Sequence, residues 1–216
     1  MKTALIIGAT GLVGSNCVKQ LLDDERYERV KVFTRKTFGL THPKLEEYIV
    51  NFEQIELWKN NIRGDELFSA MGTTIKTAGS KAAQYKVDFT YQYNFAKAAS
   101  ENGVETYLLV SSAGANAHSR NFYLKMKGEL DDKVKDLAFQ KTYIFRPSIL
   151  SGDRAEKRLG EAIGIQLMKY LTRFILPIRK YRPIEVETVA KAMIKAANSN
   201  SVVKLSIYEL DQIFDF

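Results

Sequence analysis

Ala4-Leu5-Ile6-Ile7-Gly8-Ala9-Thr10-Gly11-Leu12-Val13-Gly14 decides the fold of this 216-residue chain. Four apolar residues in a row lack the alternation of a half-exposed strand and suit a strand buried on both faces of a parallel sheet. Glycine then recurs every third residue, and a helix-like pattern runs on to Leu22. In that context each glycine has a task. One permits a tight turn, one lets backbone amides approach an anion, and the last lets helix and strand pack closely. The opening turn of the helix adds unpaired N–H groups and the positive end of its dipole. Strand, glycines and helix in this order read as a dinucleotide fingerprint, spaced Gly-x-x-Gly-x-x-Gly.

Outward from this turn, apolar runs at 30–33, 48–50, 66–71, 107–110, 142–145 and 202–207 read as strands. Helical periodicity covers 82–101, stopped by Asn102-Gly103, and then 122–137, 159–175 and 185–197. Strands alternating with helices imply right-handed βαβ units. The expectation is an α/β fold, a doubly wound, Rossmann-like parallel sheet in one domain over 1–216. Within it, about 150–185 is expected to form a substrate-side or lid segment. No internal repeat or linker interrupts the pattern.

Composition sets the limits. Hydrophobic residues make up 45% and charged residues 26%, which excludes disorder and supplies a core. A single cysteine excludes an intramolecular disulfide, and Cys17 with His42 and His118 cannot form a Cys/His zinc site; no metal is expected. The apolar run at the amino terminus is too short for a signal-peptide core, and no stretch is long enough to span a membrane. The expectation is a soluble, cytoplasmic protein, with monomer and homodimer both open. The net charge of +7 is uneven. Residues 1–108 hold 14 basic against 13 acidic groups, and residues 109–216 hold 18 against 12. Eight bases (Arg154, Lys157, Arg158, Lys169, Arg173, Arg179, Lys180, Arg182) fall in 154–182, a solvated face or a wall that attracts an anionic small molecule. No helix-turn-helix, zinc finger or aromatic-basic signature points to nucleic acid.

The second strand ends Phe33-Thr34-Arg35-Lys36. An acid here would bind a ribose 2′-hydroxyl, whereas two cations suit a 2′-phosphate. Arg35, then Lys36, therefore favour NADP(H) over NAD(H). Further along, Tyr123-Leu124-Lys125-Met126-Lys127 puts a phenol and an ammonium on one helix face. A carbonyl reductase needs an acid for the carbonyl oxygen, and tyrosine serves when a nearby ammonium stabilises its phenolate. Tyr-x-x-x-Lys is cheap: about one match is expected by chance, and the chain also holds Tyr27/Lys31 and Tyr93/Lys97. Only Tyr123/Lys127 follows a strand ending in serine, Ser111-Ser112, either of which can donate to the same oxygen.

Glycines after strand one, Gly72-Thr73-Thr74, Ser111-Ser112, Tyr123/Lys127 and Arg146-Pro147-Ser148 occur in the order of the short-chain dehydrogenases/reductases, which the chain resembles. It resembles more narrowly the atypical branch of Tat-interacting-protein-like NADPH-binding oxidoreductases. Ala78-Gly79-Ser80, Asn121-Phe122-Tyr123 and Gly128-Glu129 carry that likeness. The resemblance implies cofactor contacts at Gly8, Thr10, Gly11, Leu12, Val13, Gly14, Gly72, Thr73, Thr74, Tyr123, Lys127 and Pro147. It also implies Tyr123 as acid/base, Lys127 as its electrostatic partner and Ser112 or Ser111 as carbonyl donor. Two positions depart from the family: Asp88 stands where many members carry a relay asparagine, and Asn51 where an adenine-binding aspartate is common. Two other readings stand beside the oxidoreductase: a cofactor-occupancy sensor that regulates a partner, and an epimerase. Against the epimerase, few residues follow Lys127 from which to build a sugar-nucleotide lobe.

Overall fold

The computed structural model describes residues 1–152 and 180–216. Seven parallel strands form one sheet: β1 (Lys2–Ile7), β2 (Tyr27–Thr34), β3 (Leu45–Ile49), β4 (Glu66–Ser69), β5 (Thr106–Val110), β6 (Lys141–Arg146) and β9 (Leu205–Glu209), in the order β3-β2-β1-β4-β5-β6-β9. Among the described residues the α-helices are α1 (Leu12–Asp23), α2 (Ile75–Ala78), α3 (Lys81–Tyr85), α4 (Gln92–Glu101), α5 (Phe122–Lys135) and α6 (Val186–Ala197). A short parallel ladder joins β7 (Leu150–Ser151) to β8 (Ile184–Glu185). The doubly wound, Rossmann-like α/β fold expected from the sequence is the one found.

Side chains alternate across β1 and so feed two cores. Ala4 and Ile6 pack with α1 and α6 through Val18, Leu21, Val189 and Met193. Leu5 and Ile7 pack with α4 and α5 through Phe95, Ala99, Leu130 and Val134. Burial on both faces explains why β1 reads as an unbroken apolar run.

The departures have local causes. β2 begins three residues earlier than its apolar run, because the buried Tyr27 donates its hydroxyl to Glu66 and pairs with Lys2 across the sheet. β3 is displaced toward the amino terminus and carries Glu46 and Glu47, which an edge strand tolerates because one flank faces water. β9 starts at Leu205, opposite Thr142, and leaves Val202 and Val203 exposed outside the ladder. The helix expected over 82–101 is interrupted by a π-turn at Lys86–Tyr91. The 159–175 helix, Arg154 and most of the basic 154–182 cluster lie outside the described residues, as does the bulk of the expected lid.

At the amino-terminal edge of the sheet Glu66 is buried, between the Lys2 ammonium and the Tyr27 hydroxyl, and Asn198 in turn donates to Tyr27. Burial pushes the Glu66 carboxyl up, against the pull of Lys2 and Tyr27. The folded protein therefore retains this proton to higher pH than the unfolded chain does, whose glutamates titrate near ~4.3. That contribution is complete below the unfolded value and is lost as pH rises through the folded one. Relative to Glu66→Gln, the wild-type protein should lose stability as pH rises above the unfolded glutamate value, as measured by urea unfolding at fixed ionic strength. A difference independent of pH would contradict this assignment.

Candidate active site

Every sequence-predicted site residue stands at the carboxyl-terminal edge of the sheet or on the helix and loop that follow. All seven main-sheet strands point the same way, so their outgoing loops gather on one edge, where open α/β sheets bind ligands. Gly8 has φ +81°, and a Cβ there would stand 2.4 Å from the Ala70 carbonyl carbon and the Met71 nitrogen. A Cβ on Gly14 would stand 2.1 Å from the Gly8 oxygen. Both glycines are imposed by close backbone approach. Gly11 caps α1 without a side-chain hydrogen bond, its N–H donates to the Gly8 oxygen, and the first turn of α1 contains no acid. The N–H groups of Leu12, Val13 and Gly14 precede the first i→i−4 bond, made by Ser15, and so remain available to an anion. Thr10 is exposed beside them.

At the end of β2 the Thr34 hydroxyl is buried without a partner, and Arg35 and Lys36 are exposed. Glu47 accepts from the Thr37 hydroxyl and the Phe38 N–H. It pins the loop while forming no ion pair with either cation. Asn51 follows β3; its Oδ1 accepts from the Glu53 N–H at 3.0 Å, and its amide nitrogen makes only a 3.4 Å contact with Gln54.

After β4 comes Gly72-Thr73-Thr74. Thr74 caps α2 by accepting from the Thr77 N–H, and Gln84 donates to the Thr73 carbonyl. The Thr73 N–H donates to Asp88 Oδ2 at 2.8 Å. Asp88 sits in the π-turn and is 1% exposed; its Oδ1 lies 3.8 Å from Lys127 Nζ. Burial pushes the Asp88 carboxyl up, and the Lys127 charge and the Thr73 N–H hold it back.

The two serines after β5 differ. Ser111 is buried. Its hydroxyl and Asp131 Oδ1 both lack a hydrogen bond of normal geometry, although Ser111 stands near enough to oppose the upward shift that burial imposes on Asp131. Ser112 is half-buried, and its hydroxyl makes only a long 3.4 Å contact with its neighbour's carbonyl. Ser112 is thus the more accessible of the two hydroxyls. On α5, Tyr123 is 37% exposed, whereas Lys127, one turn on, is 3% exposed. The connecting loop is drawn against α5: the Asn116 N–H donates to the Leu124 carbonyl, and a Cβ on Gly128 would stand 2.2 Å from the Asn116 and Ala117 backbone. Pro147, buried after β6, accepts from the Ala113 N–H and ties this loop to the next strand.

Sequence reasoning missed the charges beneath. Asp131 Oδ2 accepts from Arg146 Nε at 2.9 Å, and Arg146 Nη1 reaches Glu209 at 2.6 Å. The spacing Lys127/Asp131, one helical turn, was the available signal. Gln92 donates to the Asp88 carbonyl at 2.6 Å and accepts from Ser69 at 2.7 Å; no motif announced it. His118 is an exposed loop residue, and burial pushes the Cys17 thiol up to about 12, which removes its nucleophilicity. Among the described residues no cluster of metal-ligating side chains occurs, and no helix is long and apolar enough to cross a membrane.

Fold and strand-end loops together are those of a Rossmann-like NAD(P)-binding protein. The chain belongs to the NAD(P)H-binding family, whose sequence model matches residues 8–200. It is 36% identical over 176 residues to the protein named "Protein FMP52, mitochondrial" from Coccidioides immitis, covering 76% of this chain and 72% of that one. A protein of the same name from Meyerozyma guilliermondii is 35% identical over 199 residues, covering 90% and 84%. Among solved structures, a short-chain dehydrogenase/reductase superfamily protein from Agrobacterium tumefaciens with bound NAD superposes with a TM-score of 0.73 at 14% identity, over 96% of this chain and 77% of that one. The Helicobacter pylori ADP-L-glycero-D-manno-heptose-6-epimerase superposes at 0.71 with 18% identity, over 97% and 76%. At such identity the likeness is one of fold. The fungal names overturn the cytoplasmic expectation. Composition and the lack of a long apolar run speak to membranes and cores, and neither encodes a compartment.

Because Gly128 sets the distance between the Ser112–Tyr123 loop and α5, Gly128→Ala should lower stability by about 1–3 kcal/mol through overpacking. Thermal unfolding of the purified variant checks this. A melting temperature equal to wild type would mean that the loop has room to retreat.

Proposed function

We propose that this protein is an NADP(H)-dependent oxidoreductase of the atypical short-chain type, acting on a small carbonyl or alcohol. One observation carries the reading. On α5 the Tyr123 phenol opens toward solvent while Lys127, a turn below, is buried against Asp88, and Ser112 at the end of β5 is half-buried with its hydroxyl in only a long 3.4 Å contact. This suits carbonyl reduction. Tyr123 passes its proton to the carbonyl oxygen, the Lys127 ammonium stabilises the phenolate left behind, and Ser112 donates to the same oxygen while charge builds on it. Alcohol oxidation reverses each role.

The cofactor, when bound, supplies or accepts the hydride. The residues present fit it: the free N–H groups of Leu12, Val13 and Gly14 suit a pyrophosphate, and the exposed Arg35 and Lys36 suit a 2′-phosphate. Asn51 and Gly72-Thr73-Thr74 would hold the adenosine side of the cofactor, and Lys127 and Pro147 the nicotinamide side. The basic surplus at 154–182 favours an anionic substrate.

Calorimetric titration should show NADPH binding more tightly than NADH, and Arg35→Ala should weaken NADPH by about ten- to a hundredfold, the range for a hydrogen bond to a charged group. Equal affinities for the two nucleotides, unchanged in the variant, would remove the case for NADP(H). Against a panel of small carbonyl compounds, Tyr123→Phe should cut turnover by about 10²–10⁴ and leave NADPH affinity within about threefold. Full turnover in that variant would exclude Tyr123 as the acid. If wild type binds NADPH but turns over nothing, the sensor reading gains.

A further inference from the structure

Large apolar side chains on a protein surface are ordinary when scattered and informative when they gather. Ile75, Tyr123, Ile149 and Tyr181 are each between 37% and 45% exposed. They come from four separate stretches of sequence. Ile75 opens α2 beyond β4, Tyr123 lies in the first turn of α5 beyond β5, and Ile149 follows β6. β4, β5 and β6 are neighbours in the sheet, so the segments leaving them emerge side by side. The dinucleotide turn and the Arg35-Lys36 pair lie on the other half, beyond β1 and β2. The other exposed large apolar residues among those described are Met1 and side chains around β3 or at the approach to β9.

Hydrogen bonds draw these segments together. The Ala113 N–H, in the loop before α5, donates to the Pro147 carbonyl at 3.0 Å, two residues ahead of Ile149. The Ile184 N–H donates to the Ile149 carbonyl at 3.0 Å, and the Ser148 hydroxyl to the Arg182 carbonyl at 2.5 Å, which brings Tyr181 alongside. From the other side, Lys81 Nζ stands 5.6 Å over the Phe122 ring and sets the start of α3 against the start of α5. The hydroxyls nearby are already committed. Ser148 donates to Arg182, and Thr74 accepts from the Thr77 N–H as the cap of α2. A sugar ring placed here would find apolar side chains where its hydroxyls need partners, whereas an alkyl or aryl group gains by covering them. The charged residues adjoining Ile75 and Tyr181 in the chain, Lys76 and Lys180, are exposed cations that accept an acid group at the far end of such a body.

Resting on the oxidoreductase reading above, we propose that the substrate is a carbonyl compound or alcohol with an extended apolar body, which lies on Ile75, Ile149 and Tyr181 while its oxygen reaches Tyr123 and Ser112. In the reducing direction the carbonyl carbon takes a hydride from NADPH and the oxygen takes the Tyr123 proton. Alcohol and NADP⁺ result, and solvent reprotonates the phenolate.

The test is a series of straight-chain aldehydes of about three to nine carbons at saturating NADPH. Each added CH₂ should raise kcat/KM about two- to fourfold until the chain outgrows these side chains, and glyceraldehyde should fall about tenfold or more below the apolar aldehydes. Ile75→Ser and Ile149→Ser should flatten the rise, with a loss that grows with chain length to about tenfold. NADPH affinity without aldehyde should stay within about threefold of wild type. Straight-chain primary carboxamides, which keep the carbonyl but resist reduction, supply a readout independent of turnover: calorimetry with NADPH present should show affinity rising with chain length. A flat wild-type series, a preference for glyceraldehyde, an unchanged slope in both variants, or carboxamide binding that is absent or indifferent to length would each overturn the proposal. If the oxidoreductase reading itself is wrong, the pattern differs: Tyr123→Phe reduces the aldehydes at the wild-type rate, or wild type reduces none while carboxamides still bind according to length.

Discussion

The close approach of three backbone segments at the carboxyl end of β1 governs the rest of the molecule. Gly8 lies against the backbone of Ala70 and Met71, and Gly14 lies against the Gly8 carbonyl. No side chain fits at either point, and Gly8 also adopts a positive φ that side chains resist. The contact aims the first turn of α1 along the strand ends and seats it beside the chain leaving β4. From there the Gly72-Thr73 turn is in place to meet Asp88, and Asp88 to meet Lys127. A steric constraint at one end is thus continued by a charge at the other.

That charge belongs to a series of alternating sign: Asp88, Lys127, Asp131, Arg146, Glu209. The first three members are almost fully buried, and only Glu209 is exposed. Desolvating such groups costs several kcal/mol each, so a buried ion pair is weak evidence of net stability, while deleting one partner typically costs about 3–5 kcal/mol. Position is the better explanation. The series crosses from the π-turn through α5 to β6 and β9. Ser111 and Asp131 Oδ1, buried near one another without normal hydrogen bonds, mark the place where this network is least satisfied.

Much of this was legible in the sequence for a physical reason. A strand buried on both faces must be apolar throughout, so β1 and β5 announced themselves, and the glycines between β1 and α1 marked a turn that nothing else fits. Tyr123 and Lys127 stand out from the other Tyr-x-x-x-Lys pairs by their distance from a serine-ended strand. What escaped notice depended on tertiary partners. Tyr27 lies ahead of the apolar run of β2 because its hydroxyl bonds to Glu66, 39 residues away in the sequence. The π-turn has the same helical periodicity as its flanks. Asp88 and Asp131 are ordinary helix-surface letters until the fold buries them. That Ser111 is buried and Ser112 half-buried likewise depends on the packing around the end of β5.

The Lys2–Glu66–Tyr27–Asn198 cluster fixes the opposite edge of the sheet. Because β1 runs from that edge toward the glycine turn, Met1 is exposed at the end remote from Tyr123. An affinity handle or fluorophore joined ahead of Met1 would therefore leave the molecule on the side away from the strand-end loops. Surface immobilisation through that end presents those loops to the solution, whereas attachment through a side chain on α5 would crowd them.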